Sequence, residues 1–358
     1  MSCQGAANGV MTDTLPPIYF YIPQEHWPAG GMPERPDNYW QWNISISNKW
    51  NWGRYNWTLQ TYLYLKADGF PCELIGTMPT EGIVLAHRDF FPDNFQPGPR
   101  LLMTCLQADR KPHPYAQIHV VQNQYEERLK KSMSLWESYY IAHWPQPGLI
   151  PRAPARGKKF ENVAYFGNEN TLAPELKNPL WQEQLTPLGL CWHIVERDHW
   201  NDYSEVDVVV AIRSFDGNDY TWKPASKLYN AWQAGVPAIL GCESAYRFER
   251  KSELDYLEVA SLNDLISALK RLRDDKELRQ AIVENGLIRA LETRPARIVV
   301  QWRTFLTDTA VPAYNQWCTA PNWERQKFLK LRYLILKLNK IKLRLKSVSS
   351  RVRAALKK

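Results

Sequence analysis

The segment Lys223–Gly241, KPASKLYNAWQAGVPAILG, decides the fold. Its pattern predicts a helix over Lys227–Gln233, stopped by Gly235 and Pro237. Glycine tolerates the left-handed turn that ends a helix, and proline cannot continue one. Ala238–Gly241 then reads as a short buried strand. Just upstream, Val206–Ile212 (VDVVVAI) is a nearly unbroken β-branched run, as expected of a strand covered on both faces in a parallel sheet. The loop between these elements carries the chemistry. Arg213 follows the first strand, Lys223 and Lys227 flank Pro224, and the helix starts at about Ser226. Three cations and a helix N-terminus converge on one spot, which fits a diphosphate. Each cation alone reads as a solvated surface residue; the set does not.

Further strands and helices lie on either side. Asn162–Phe166 is a predicted strand whose end, AYFGN, brings in Gly167 and Asn168. A glycine there lets backbone N–H groups approach a phosphate, although a turn also needs one. A helix is expected around Pro174–Leu188, a strand at Cys191–Val195, and helices over Leu262–Arg271, Asp275–Arg289 and Val299–Trp317. In the first half, Ile18–Ile22, Cys72–Ile75, Gly82–Ala86, Leu101–Leu106 and Ala116–Val121 read as strands. Asn56 is placed to cap a helix running to about Asp68. The stretch WPAGGMPERPDNYWQW shows no periodicity and reads as a long irregular loop. Pro145–Gly157 (PQPGLIPRAPARG) is the best linker in the chain. Strand–helix alternation on both sides of it predicts an α/β protein of two Rossmann-like domains facing a cleft. The expected division is a flexible segment 1–15, an acceptor domain 16–144 and a linker 145–158. A nucleotide-sugar domain 159–300, a helix 301–324 packing back on the first domain and a tail 325–358 complete it.

The chain has 358 residues, is 44% hydrophobic and carries 16 Trp, enough for two cored domains. Its six cysteines show no CxxC pairing, and Cys105, Cys191 and Cys242 sit in apolar runs. They read as reduced core thiols of a cytoplasmic protein. No signal peptide or membrane-spanning run is expected. The net charge of +8 is uneven: residues 325–358 hold 13 of the 45 Lys and Arg and no acidic residue. The other 32 basic residues face 37 acidic ones, so the body is mildly acidic and nucleic-acid binding is disfavoured.

The run DVVVAIRS…KPASKLYNAWQAGVPAILG…SAY…DYLEV resembles the C-terminal domain of GT-B glycosyltransferases of the broad group-1 class. The resemblance is strongest over about residues 160–260 and looser elsewhere. It implies the GT-B architecture and a nucleoside-diphosphate sugar donor held mainly by this domain. By that resemblance Arg213 and Lys223 or Lys227 hold the diphosphate, Asn230 faces the ribose, and Glu243 and Ser244 reach the nucleotide. Retaining members often carry two Glu eight positions apart; here those positions are Trp222 and Asn230. The resemblance also lifts His87, at the end of GIVLAHRD, as a contact to the donor sugar. Glu25 and His26 follow the first strand, where inverting members keep a base. Asp89 and Asp109 follow other strands, and the sequence does not choose among these four as the acceptor's base. Trp40, Trp42, Trp50, Trp52 and Trp57 crowd one segment, and Trp50, Trp52 and Tyr55 are taken as acceptor contacts. A packed lid fits them equally.

The expected activity is transfer of a sugar to a saccharide or lipid-linked acceptor in cell-surface polysaccharide or glycolipid synthesis, without metal or other cofactor. The alternatives are a GT-B nucleotide-sugar epimerase and a non-catalytic nucleotide- or sugar-binding relative. In the tail, Leu331, Leu334, Leu338, Ile341, Leu345, Val348 and Val352 recur at helical steps among Lys and Arg. Such a basic amphipathic helix fits the anionic inner face of a membrane, and a dimeric coiled coil is its rival.

Overall fold

A computed structural model describes residues 15–46, 52–127, 137–335 and 337–338. The first half builds a six-stranded sheet from β1 (Ile18–Tyr21), β2 (Glu73–Ile75), β3 (Gly82–His87), β4 (Leu101–Leu106), β5 (Ile118–Val121) and β6 (Glu137–Tyr140). Their order is β2-β1-β3-β4-β5-β6, and every pairing is parallel. All residues of β3, β4 and β5 are buried, which explains their unbroken apolar runs. The second half builds a five-stranded parallel sheet from β7 (Asn162–Phe166), β8 (Cys191–Val195), β9 (Val208–Ala211), β10 (Ala238–Gly241) and β11 (Leu257–Val259). Its order is β11-β10-β9-β7-β8. The expected α/β architecture of two Rossmann-like units is therefore present.

Helices cover the strands. In the first half these are α1 (Tyr39–Ser45) and α2 (Trp52–Ala67). The second half contributes α3 (Pro179–Leu185), α4 (Ser226–Ala234), α5 (Ser244–Glu249), α6 (Leu262–Asp274) and α7 (Lys276–Thr293). In α4 the chain turns at Gly235, φ +67°, and the Val236 N–H bonds the Ala231 carbonyl at 3.1 Å. This left-handed cap is what the A-G-V-P run encodes.

Helix α8 (Pro295–Phe305) leads through a π-helical turn, Leu306–Ala310, into α9 (Val311–Thr319). Pro312 has no N–H to donate backwards, which accounts for the bent register at that point. These helices lie on the first half. Arg303 pairs with Asp68 at 2.6 Å, Trp317 Nε1 donates to the Gly98 carbonyl at 2.9 Å, and Phe305 packs on Tyr139. A further helix covers residues 322–335.

Three readings change. The supposed loop around Tyr39–Trp42 contains α1, because Tyr39 and Trp40 are buried by tertiary packing. Asn56 lies a full turn inside α2, where its side chain accepts from the Tyr39 hydroxyl, and does not cap the helix. The segment read as the linker is tied to the second half: Gln146 N–H bonds Asn230 Oδ1 at 2.9 Å, and Arg152 N–H bonds the Ala234 carbonyl at 3.0 Å. Cys191 is exposed at the start of edge strand β8, whereas Cys105 is buried and Cys242 lies between; all three are free thiols. Among the described residues no helix is long and apolar enough to cross a membrane.

Candidate active-site cleft

Sheet order fixes where a ligand belongs. From β7 the chain moves to β8 on one side and to β9 on the other, so the switch point lies between β7 and β9. Ligands of open α/β sheets bind beyond the carboxyl ends of strands at such a point. Gly167 and Asn168 follow β7, and Arg213 lies just beyond β9. All three line a cavity of about 340 Å³ with Lys223, Ser226, Lys227 and Asn230. A second cavity of about 250 Å³ is lined by His87, Asp109, Arg110, Arg213, Lys223 and Lys227 among others. The two share Asp109, His143, Arg213, Lys223, Ser226 and Lys227, so they form one cleft between the halves.

The three predicted cations do converge there. Arg213 is ion-paired to buried Glu243, with side-chain exposures of 12% and 2%. Burial pushes the Glu243 carboxyl up, against the pull of Arg213 and Lys227. Lys227 has no carboxylate within salt-bridge distance among the described residues; its Nζ lies 5.6 Å from the centre of the Tyr165 ring. Burial, followed by repulsion from Arg213, brings its pKa down to about 7. Helix α4 starts at Ser226 without a side-chain cap, and Ser226 and Lys227 of its first turn line the same cavity, so the positive end of the helix dipole lies beside it.

Gly167 has a second reason to be glycine. A Cβ there would meet the Tyr165 hydroxyl at 2.7 Å. That hydroxyl bonds Thr171 Oγ1 at 2.8 Å, and the Asn168 side chain accepts from Asn170 N–H at 2.9 Å, which sets the turn after β7.

Across the cleft, His87 Nδ1 accepts the Asp89 N–H at 3.1 Å, leaving the neutral ring's proton on Nε2. Burial lowers its pKa to about 4. His87 is thus a neutral donor lining the second cavity. Asp89 is clamped by Arg54 at 3.2 Å and Arg110 at 3.0 Å. Burial raises its carboxyl, but the Arg110 hydrogen bonds together with the charges of His87, Arg110 and Arg54 outweigh burial, and the net shift is downward. Asp109 lines both cavities and pairs with Lys223 at 2.7 Å.

Other predicted residues fall elsewhere. Glu25 is exposed and His26 packs on Phe90 at 5.3 Å; neither lines either cavity. Tyr55 is buried, with its hydroxyl on the His26 carbonyl at 2.5 Å, so it is a core residue and not an acceptor contact. Trp50 lies outside the described residues, and Trp52 only opens α2. Trp40 and Trp57, from the same aromatic segment, do reach the cleft. Asn230 lines the cavity but gives its oxygen to the linker. Glu243 and Ser244 stand behind the lining: the Ser244 hydroxyl donates to the Asp219 carbonyl and accepts from Asn123, both at 2.9 Å. Several lining residues carried no sequence signal, His143 and Gln60 among them. His143 lies edge-on to Trp57 at 5.2 Å, and Gln60 comes from α2.

No family profile and no curated relative matches the sequence. Among solved structures, the chain is similar to sucrose-phosphate synthase from Thermosynechococcus elongatus, with 15% identity and a TM-score of 0.46 over 75% of this chain and 81% of that one. It is similar to HepE from Anabaena solved with UDP-glucose, with 11% identity and a TM-score of 0.48 over 82% and 100%. It is also similar to TarM, at 12% identity and a TM-score of 0.40 over 61% and 56%, so it spans a little over half of that chain. The functional reading rests on the residues of the cleft.

Proposed function

We propose that the chain is a glycosyltransferase that moves a sugar from a nucleoside-diphosphate sugar to a saccharide or lipid-linked acceptor, in cell-surface polysaccharide or glycolipid synthesis. One observation carries the reading: Arg213, Lys223, Lys227 and the uncapped start of α4 meet in one cavity at the switch point between β7 and β9. A diphosphate satisfies all of them together. As the anomeric carbon becomes oxocarbenium-like, charge grows on the departing diphosphate. Fixed cations stabilise that charge without reorganisation. Side chains supply the countercharge, so the proposed reaction uses no metal or other cofactor. His87 offers its Nε2–H to a sugar hydroxyl.

The basic tail supplies a proposed second partner, an anionic membrane surface at the cytoplasmic face. Leu331, Leu334 and Leu338 are exposed on the described part of that helix, with Lys327, Lys330 and Lys337 nearby. A dimer through the same stripe is the rival arrangement.

Thermal denaturation of the chain against nucleoside diphosphates and their sugars tests the donor site. A ligand of the native state raises the melting temperature, and Arg213→Ala should abolish that shift. If none of these compounds moves the transition, the reading is wrong. Incubation with a nucleotide sugar and no acceptor separates transfer from epimerisation, since only an epimerase then yields a new sugar.

A further inference from the structure

Lys223 is attached to the N-terminal half in two different ways. Its carbonyl accepts from Asn123 Nδ2 at 3.0 Å, and the Trp222 carbonyl accepts from Gln122 Nε2 at 2.9 Å. Its own N–H bonds the Tyr220 carbonyl at 2.9 Å. These neutral amide bonds fix the main chain and offer an anion nothing to compete for. The side chain is different: Nζ reaches Asp109 Oδ2 at 2.7 Å in a pair exposed at 22% and 37%. Ion pairs so accessible to water are weak and exchange readily. Both partners line both cavities, and Arg213 and Lys227 line the same two. A diphosphate seated on Arg213 and Lys227 therefore arrives beside Lys223 with more negative charge than one carboxylate carries.

Building on the donor reading above, we infer that Asp109 is the acceptor's base and that the donor itself unmasks it, by drawing Lys223 Nζ from the carboxylate onto the diphosphate. The main chain of Lys223 stays in place and only its four-carbon stem turns. In the unliganded chain Asp109 is poorly basic: burial raises its carboxyl, but the Lys223 hydrogen bond and charge, helped by Arg110, outweigh burial and hold it below the usual range. Once Lys223 leaves, its hydrogen bond and charge no longer hold the carboxyl down, and the carboxylate becomes more basic. It then takes the proton of the acceptor hydroxyl. The hydroxyl oxygen forms its bond to the anomeric carbon as the carbon–oxygen bond to the diphosphate breaks. The electron pair departs on the diphosphate, where Arg213, Lys227 and Lys223 meet it. The donor must therefore bind before an acceptor can react.

The test is calorimetric titration of the full chain with ADP, GDP, UDP and inorganic pyrophosphate, paired with a transfer assay. Asp109→Asn removes the charge that competes for Lys223. It should bind the diphosphate about three- to tenfold tighter than wild type while transfer falls roughly 10²–10⁴-fold, the usual contribution of a general base. Asp109→Glu keeps the charge with altered reach. It should bind the diphosphate close to the wild-type level and transfer at an intermediate rate, and it serves if the Asn variant does not fold. Asp109→Asn that binds no tighter, or that transfers normally, overturns the inference; so does Asp109→Glu that binds like wild type but has lost all transfer. Failure of every diphosphate to bind wild type instead overturns the donor reading beneath it.

Discussion

Glu243 holds Arg213 from behind. The two follow neighbouring parallel strands, β10 and β9, whose register pairs Leu240 with Ala211, and their side chains form an ion pair whose Glu243 end is buried and whose Arg213 end borders the cleft. Among the described residues, the Nε of Arg213 and the Oε1 of Glu243 have no hydrogen-bond partner. Such a pair is weak evidence for stability but fixes a direction: the guanidinium is held facing the cleft. Glu243→Gln keeps the shape and removes the charge. Breaking one side of a buried pair costs about 3–5 kcal/mol. We expect a lowered melting temperature and at least tenfold weaker diphosphate binding, measured by thermal denaturation and titration calorimetry.

Lys227 makes donor binding depend on pH. Its pKa is brought down to about 7, so above pH 7 it is largely neutral in the empty cleft. A diphosphate favours the charged form, so binding near pH 8 takes up a proton and is weaker than binding near pH 6. Calorimetry in buffers of different ionisation enthalpy reads that uptake, and Lys227→Met should abolish it. The stability effect has the opposite dependence. Between pH 7 and the ordinary lysine range the unfolded chain binds more protons, so this group makes the fold more stable as pH rises through that window.

His87 and His113 predict sensitivity to acid. Burial lowers both to about 4. His113 Nδ1 accepts two backbone N–H groups at 3.1 Å, bonds that protonation there would break. Between about pH 6.5 and 4 the unfolded chain binds the extra protons, so stability falls as pH drops through that window. The loss is on the order of 3 kcal/mol per histidine. Urea unfolding at pH 7 and pH 4.5 measures it, and His113→Gln should show a smaller difference between the two.

Gly167→Ala should disturb the donor pocket through Tyr165. The added Cβ would lie 2.7 Å from the Tyr165 hydroxyl and 2.8 Å from its ring carbon, so the ring must move. Overpacking of this kind costs about 1–3 kcal/mol. Because the same ring lies under Lys227, diphosphate affinity should fall together with the melting temperature.

The exposed leucines of the tail test the membrane partner. Co-sedimentation with vesicles containing phosphatidylserine should retain the full chain, and vesicles of phosphatidylcholine should not. Leu331→Glu with Leu334→Glu should release it, while a salt-insensitive dimer in solution would favour the coiled-coil arrangement instead.

Local sequence revealed what local physics decides. The bounds of β4, β7, β8 and β10 follow directly from apolar runs and their Gly and Pro stops. Strand β6, Glu137–Tyr140, escaped because only Ser138 in it is buried and its pattern is that of a sheet edge. Tyr55 was misread as an acceptor contact because an aromatic in a Trp-rich stretch looks the same whether its hydroxyl meets a sugar or the His26 carbonyl. The three cations of the cleft were legible because they cluster within fifteen residues. Choosing among the four residues considered for the acceptor's base was not possible from sequence, since Asp109 acquires its meaning from Lys223, 114 positions away.

The hydrogen bonds from Gln122 and Asn123 to the Trp222 and Lys223 carbonyls have a consequence for how this chain can be divided and recombined. The half that carries the proposed donor pocket does not shape that pocket by itself; part of its wall is shaped by the other half. A chimera built by exchanging the N-terminal half should therefore inherit altered donor affinity along with its new acceptor preference. Selection on either specificity then acts on both, which ties the histories of the two halves together.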